Sequence, residues 1–177
     1  GPLLLFQELE ETKLEAAQRK VAELEAELGP QHPEVAKCLN RLANLLRTKG
    51  SYAEARPLYE RALAINEKAF GLEHPRVAFS LNHLAGILKR QSSYAEARLL
   101  YERLLAIREK AVGLEHPRVA IALNNLANLL ETQGSYAEAR PLYERSLAIR
   151  EKALGPEHPD VAQSLNTLAN LLETQGS

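Results

Sequence analysis

Apolar positions along the chain recur with a helical period, and the whole pattern then recurs as a block. After Pro33, the residues Val35, Ala36, Leu39, Leu42, Ala43 and Leu46 fall one, three or four apart, the stripe of an amphipathic helix. Gly50 interrupts the stripe, and a second helical stretch runs from Ser51 to about Phe70, where Gly71 stops it. The same order returns after His74-Pro75, His116-Pro117 and His158-Pro159, each 42 residues beyond the one before. Proline suits the first helical position, because the N–H missing there has no intrahelical partner. Ser51-Tyr52-Ala53-Glu54 has the form of a capping box, and Ser93 to Glu96 and Ser135 to Glu138 repeat it. Each unit is therefore predicted as helix A, a tight turn, helix B and a link of four or five residues. Turns this short make A and B antiparallel neighbours. Units of this length bury their apolar faces only against adjacent units, so the predicted class is all-α. Pro57 and Pro141 fall inside helix B, where Leu99 stands in the middle unit, and are read as slight bends near a helix start on an outer surface.

Residues 8–29 precede the first unit and read as a capping helix, with Leu14, Val21, Leu24 and Leu28 at helical spacing. Gly29 stands 42 residues before Gly71, in the register of a preceding helix B. Residues 1–7 are read as a tag scar, Gly1-Pro2, followed by an extended segment. The array proper spans 30–177, with repeats at 33–74, 75–116 and 117–158 and a half repeat at 159–177. In the half repeat, Leu168, Leu171 and Leu172 are expected to expose apolar surface. Both ends read as those of a piece of a longer array.

Composition narrows the chemistry. Apolar residues make up 45% and aromatics 5%, without Trp or Met, so the core must be built from Leu, Ala, Ile, Val and a few Tyr. A net charge of -1 argues against nucleic acid as a partner. One cysteine allows neither an intramolecular disulfide nor a cysteine zinc site. No apolar run approaches the roughly 18 residues of a membrane span, and Leu3 to Phe6 is too short for a signal peptide; a soluble, cytoplasmic chain is expected. No Ser or Cys comes with an adjacent His and acid, and no phosphate-binding Gly loop is present, so neither enzyme activity nor a cofactor is expected. The four His-Pro histidines are assigned to helix starts. Packed helices lie about 8–10 Å apart, too far for residues one repeat apart to share a metal with ligand bonds of about 2 Å. Cys38 takes the place of Ser80, Ala122 and Ser164, a small-residue slot at a helix contact.

The residues Leu39, Leu42, Ala43, Leu46, Gly50, Tyr52, Ala55, Tyr59 and Ala62 resemble the tetratricopeptide repeat pattern. The longer string, LNxLAxLLxxxGSYAEAxxLYERxLAIxEKAxGxEHPxVA, is similar to the repeats of kinesin light chains and of bacterial proteins of that type. Repeats two and three differ at only 12 of 42 positions. Such uniformity resembles a bacterial homologue or a consensus-like array more than the divergent eukaryotic repeats. The resemblance implies a right-handed superhelix, an α-α solenoid, with helices A lining a concave groove that binds a protein or peptide segment.

Carried over position by position, the implied groove residues are Lys37, Asn40, Arg41, Asn44 and Arg47 in the first repeat, and Phe79, Asn82, His83, Lys89 and Arg90 in the second. Ile121, Asn124, Asn125 and Asn128 follow in the third, and Asn166 and Asn170 in the last helix. Asn40, Asn82, Asn124 and Asn166 form a ladder whose amides either clamp the backbone of an extended peptide or bond a neighbouring repeat. Lys37, Arg41, Arg47, Lys89 and Arg90 make the N-terminal half basic, while Glu131 and Glu173 make the C-terminal half mildly acidic. With Phe79 and Ile121 as apolar anchors, an acidic peptide bearing one large apolar residue fits. The alternative is a structural or self-associating array without a dedicated ligand, in which the open terminal helices join copies.

Overall fold

The computed structural model describes residues 1–176, apart from the side chain of Glu11; Ser177, assigned to the half repeat, lies outside them. The described residues form eight α-helices and no strand. They are α1 (Pro2–Leu28), α2 (Pro33–Thr48), α3 (Tyr52–Phe70), α4 (Ala78–Arg90), α5 (Tyr94–Val112), α6 (Pro117–Thr132), α7 (Tyr136–Leu154) and α8 (Pro159–Gly176). A single 3-10 turn, Pro75–Val77, leads into α4. The chain divides into two compact units, Gly1–Ile87 and Leu88–Ser177.

In the first unit α1 packs on α2 and α2 on α3. The stripe of α2 is buried as its spacing predicts, with Val35, Ala36 and Ala43 fully covered. In the second unit α6 lies between α5 and α7, and α7 packs on α8. Its core is Val119, Ala120, Leu123 and Ile149, against which Leu105, Val112 and Leu142 are partly buried. A fully buried Leu or Val contributes about 1.5–3 kcal/mol, so these stripes, more than helix propensity, hold each A–B pair together. Arg61 pairs with Glu25 and donates to the Pro30 carbonyl, and Arg145 repeats the arrangement with Glu109 and the Leu114 carbonyl.

Every His-Pro step is a helix N-cap. The Nδ1 atoms of His32, His74, His116 and His158 each accept a hydrogen bond from the backbone N–H two residues on, at 3.1 Å in all four cases. Imidazole thus does what an Asp or Ser oxygen does at other N-caps.

Three sequence expectations are corrected. Residues 2–7 are not extended: helix α1 begins at Pro2, with the Leu4 and Leu5 N–H groups donating to the Gly1 carbonyl at 3.1 and 3.3 Å. Proline at the first helical position followed by Leu, Gln and Glu offers nothing to break a helix. Leu3, Leu4, Leu5, Phe6 and Leu9 are consequently exposed side chains of a helix. The serine capping boxes do not form either. Ser51, Ser93 and Ser135 stand at the N-cap, but none makes a side-chain cap bond. The reason is the preceding turn. Ser51 N–H donates to the Leu46 carbonyl at 2.9 Å and Gly50 N–H to the Arg47 carbonyl at 3.0 Å, the paired bonds of a Schellman ending. That ending leaves Ser51 at φ -83°, ψ 63°, outside the β region from which a side-chain cap reaches its target. Helix B is instead started by the Ser51 carbonyl, which accepts from Ala55 N–H at 3.0 Å. Finally, Leu171 is not open to solvent. With Val161 and Ser164 it forms the buried stripe of α8, the helix that packs on α7, while Leu172, one residue round the helix, is exposed.

Candidate functional site

In the first unit a concavity of about 560 Å³ opens over α2 and the start of α4. It brings together five of the residues singled out from the sequence, Lys37, Asn40, Arg41, Asn44 and Phe79, and adds Asn66 and Arg76. Lys37 and Arg41 are exposed, and Phe79 is 46% exposed although it is a phenyl ring on a helix surface. Asn66 was missed because helix B was read as outer surface, and Arg76 because it lies in the turn Pro75–Val77, ahead of the helix A stripe. Asn66 sits on α3, is only 5% exposed, and donates through Nδ2 to the Arg76 carbonyl at 3.4 Å. A polar side chain in a buried register of helix B was the available signal: Arg108 and Arg150 occupy the same repeat position, and each donates to the carbonyl of the residue ten further on.

Several groove candidates are held by internal bonds. Asn40 Oδ1 accepts from Ser80 Oγ at 2.9 Å, one repeat away. Asn44 Oδ1 accepts from Arg47 Nη2 at 2.8 Å and Nε at 3.3 Å, so Arg47 lies along its own helix. His83 stacks on Tyr59, with ring centroids 5.4 Å apart, and meets Phe79 edge-on at 4.4 Å. Burial, and then the charge of Arg47, lower the His83 pKa from 6.5 to about 4, so this ring is neutral at physiological pH. The Tyr59 hydroxyl is buried without a well-formed hydrogen bond among the described residues. Burial raises its pKa, and nearby Arg47 offsets part of the rise.

In the second unit the Asn124 amide finds partners for both ends in one orientation only. Its Nδ2 then donates to Ser146 Oγ at 3.0 Å, and its Oδ1 accepts from Arg150 Nη1 at 3.1 Å and Nη2 at 3.2 Å. Arg150, 9% exposed, also donates to Ser164 Oγ at 2.8 Å, and Ser146 donates to the Ala120 carbonyl at 3.0 Å. Asn128 accepts from Lys89 Nζ. Glu131 accepts from the Tyr143 hydroxyl at 2.7 Å, and burial together with this carboxylate holds the Tyr143 pKa well above the usual phenol range. Ile121 is 45% exposed on α6. Asn82 and Asn125 are half-buried, whereas Arg90, Asn166 and Asn170 are exposed. Among the described residues, no three His, Cys, Asp or Glu side chains are grouped to hold a metal, and no helix is long and apolar enough to cross a membrane.

In the first unit the geometry offers an open polar and basic surface beside the exposed Phe79 ring, with Asn40, Asn44 and Asn66 held by internal bonds. The model of the tetratricopeptide repeat family matches residues 10–68, 34–110 and 118–177. No curated protein compared with the chain matches it significantly. Among solved structures, the kinesin light chain candidate of Podospora anserina with nearly identical TPR-like repeats superposes with a TM-score of 0.83 at 30% identity, covering 94% of this chain and 79% of that one. A point variant of that protein gives a TM-score of 0.84 at the same identity and coverage. BtubC (BKLC) from P. vanneervenii gives a TM-score of 0.77 at 28% identity, covering 99% of this chain and 67% of that one.

Proposed function

Because the chain belongs to the tetratricopeptide repeat family, as a kinesin light chain-like array, and such repeats generally mediate protein–protein interaction, we propose that it holds an extended acidic peptide carrying one large apolar residue. The observation that carries this reading is the concavity of the first unit, where Lys37, Arg41 and Arg76 surround Phe79 and the amides of Asn40, Asn44 and Asn66. The three cations favour an acidic partner and steer its approach. Phe79 offers a face for an apolar side chain. Asn44 and Asn40 keep amide donors for a peptide carbonyl, since the internal bonds named above engage their oxygens.

The test is capture of peptides from a displayed random library, followed by titration of the best acidic binder. Phe79→Ala and Asn44→Ala should each weaken it roughly tenfold or more, the loss seen when a central contact is truncated. Leu99→Ala, an exposed change on a helix B, should leave it unchanged. Binding that survives both groove changes, or a parent chain that captures nothing, refutes the groove.

A second reading, self-association, is favoured by the exposure of Leu3, Leu4, Leu5, Phe6 and Leu9 on α1 and of Leu165 and Leu172 on α8. Light scattering on the chain and on a Leu5→Glu, Phe6→Glu variant decides it. A concentration-dependent mass that the variant abolishes supports association, and a monomer mass for both removes it.

A further inference from the structure

Helix α1 stands one repeat before α3, so each of its residues has a counterpart 42 positions on. The correspondence fails at one telling place. The tyrosines Tyr59, Tyr101 and Tyr143 are 0%, 6% and 3% exposed on their helices B. The residue of α1 in that register is Ala17. Where the Tyr59 ring stacks on His83, α1 offers a methyl group opposite Arg41, the counterpart of His83. A cleft of about 310 Å³ results, floored by Ala16, Ala17, Cys38 and Leu45. Cys38 is half-exposed there, although its counterparts Ser80, Ala122 and Ser164 are buried; the absent ring uncovers it.

The rim of the cleft is cationic: Lys13, Lys20 and Arg41 line it. Two of them are substitutions with the same logic, since Lys13 and Lys20 replace the buried alanines Ala55 and Ala62 of α3. Lys13 also lies 4.0 Å from Glu10, an exposed pair of little strength. Among the described residues, no carboxylate lines the cleft itself.

We infer that this cleft is a socket for a single aromatic ring bearing an anionic group. The ring takes the place that tyrosine fills in every later repeat, and the anion meets Lys13, Lys20 and Arg41. The volume, at the small end for ligand pockets, has room for one substituted ring. The cleft shares Arg41 with the groove of the first unit, but its test changes none of the residues proposed to bind peptide.

The test is a two-dimensional amide NMR titration of the whole chain with phenyl phosphate, with inorganic phosphate and benzyl alcohol as controls for charge and ring alone. Saturable shifts at Ala16, Ala17 and Cys38, with phenyl phosphate at least tenfold tighter than either control, are expected. Ala17→Tyr should fill the socket, abolish these shifts and raise the Tm. Lys13→Gln combined with Lys20→Gln, both exposed changes, should weaken phenyl phosphate at least fivefold and leave benzyl alcohol unchanged; this pair keeps the test decisive if Ala17→Tyr disturbs the fold. A short phosphotyrosyl peptide separates the sources of the ligand. Tighter binding than phenyl phosphate assigns the socket to a modified protein side chain, and equal or weaker binding assigns it to a free aromatic anion. The inference is overturned by the absence of saturable shifts, by inorganic phosphate binding as well as phenyl phosphate, or by binding that both variants leave intact.

Discussion

Ser92 is the only non-glycine residue with a positive φ among the described residues, at 61°. It occupies the turn position that Gly50 and Gly134 hold in the flanking repeats, with φ of 84° and 78°. The hydrogen bonds are the same in kind: Ser92 N–H donates to the Lys89 carbonyl at 3.0 Å and Ser93 N–H to the Leu88 carbonyl at 2.8 Å. A side chain in this conformation costs about 1–2 kcal/mol from the clash of Cβ with the following carbonyl. Changing Ser92→Gly removes that cost and returns about 0.4–1 kcal/mol as extra freedom of the unfolded chain, for a net gain near 0.5–1 kcal/mol. Packing does not enter. Ser92 is exposed, and a Cβ built at Gly50 or Gly134 meets nothing within 4 Å, so the backbone term stands alone. For a chain of this length 1 kcal/mol moves the Tm by about 2–4 °C, so thermal unfolding should shift upward by about 1–4 °C. Amide exchange at Ser93, whose N–H closes the turn, reads the effect locally and should slow up to about fivefold if opening of this turn governs it. Gly134→Ser should produce the mirror result. A Tm that falls or stays fixed in Ser92→Gly, or a Gly134→Ser chain as stable as its parent, refutes backbone strain as the cost of this turn.

Removing a histidine cap by His116→Ala should cost about 0.5–2 kcal/mol in urea unfolding, and His116→Asn, which keeps an acceptor within reach of the same N–H, should restore most of it. Leu123→Ala, at a site with 0% exposure, should cost about 2–5 kcal/mol, whereas Leu165→Ala, one repeat later and 48% exposed, should cost under about 1 kcal/mol; equal losses in denaturant titrations would mean that the α8 face is covered in solution. His83 has a folded pKa lowered from 6.5 to about 4, so the unfolded state binds the extra proton between those values. The stabilisation from its neutral form is full above pH 6.5 and is lost as pH falls toward 4, by about 1–2 kcal/mol once screening at a half-buried site is counted; subtracting the pH profile of His83→Gln isolates it, and parallel profiles would contradict the shift.

The period, the His-Pro starts and the glycine stops were legible in the sequence, and all eight helices begin or end within a few residues of those marks. They are legible because each is a local rule about one residue's φ or one missing donor. The serine caps were misread for a related reason. Ser51 serves two motifs at once, and the Schellman bonds of α2 set its ψ before a cap can form. The start of α1 was misread because terminal position was weighed above helix propensity. Five groove candidates of the first unit do line one concavity. Asn66 and Arg76 escaped notice because periodicity assigns a residue to a face and says nothing of how far a side chain reaches between two helices.

Charge along helices A is where copies differ most, and the structure changes what those differences mean. Arg47, Lys89 and Glu131 share one register and, counted as free charges, turn the array from basic to acidic. Each is instead bonded: Arg47 to Asn44, Lys89 to Asn128, Glu131 to the Tyr143 hydroxyl. A charge held in a hydrogen bond to a neutral group keeps its sign but loses its freedom to follow a ligand, so these residues act more through the side chains they fix than by roaming attraction. The register of Asn66, Arg108 and Arg150 on helices B also differs in charge. Asn66 is neutral, whereas Arg150 in the third repeat is a cation 9% exposed whose acceptors, Asn124, Ser164 and the Asp160 carbonyl, are all uncharged. In surroundings of low dielectric such a charge is felt farther than one in water. The second unit therefore carries a buried positive charge at the amide of Asn124 as well as the acidic Glu131 and Glu173. The two units thus carry their positive charge differently, on exposed Lys37 and Arg41 in the first and on a fixed, shielded guanidinium in the second.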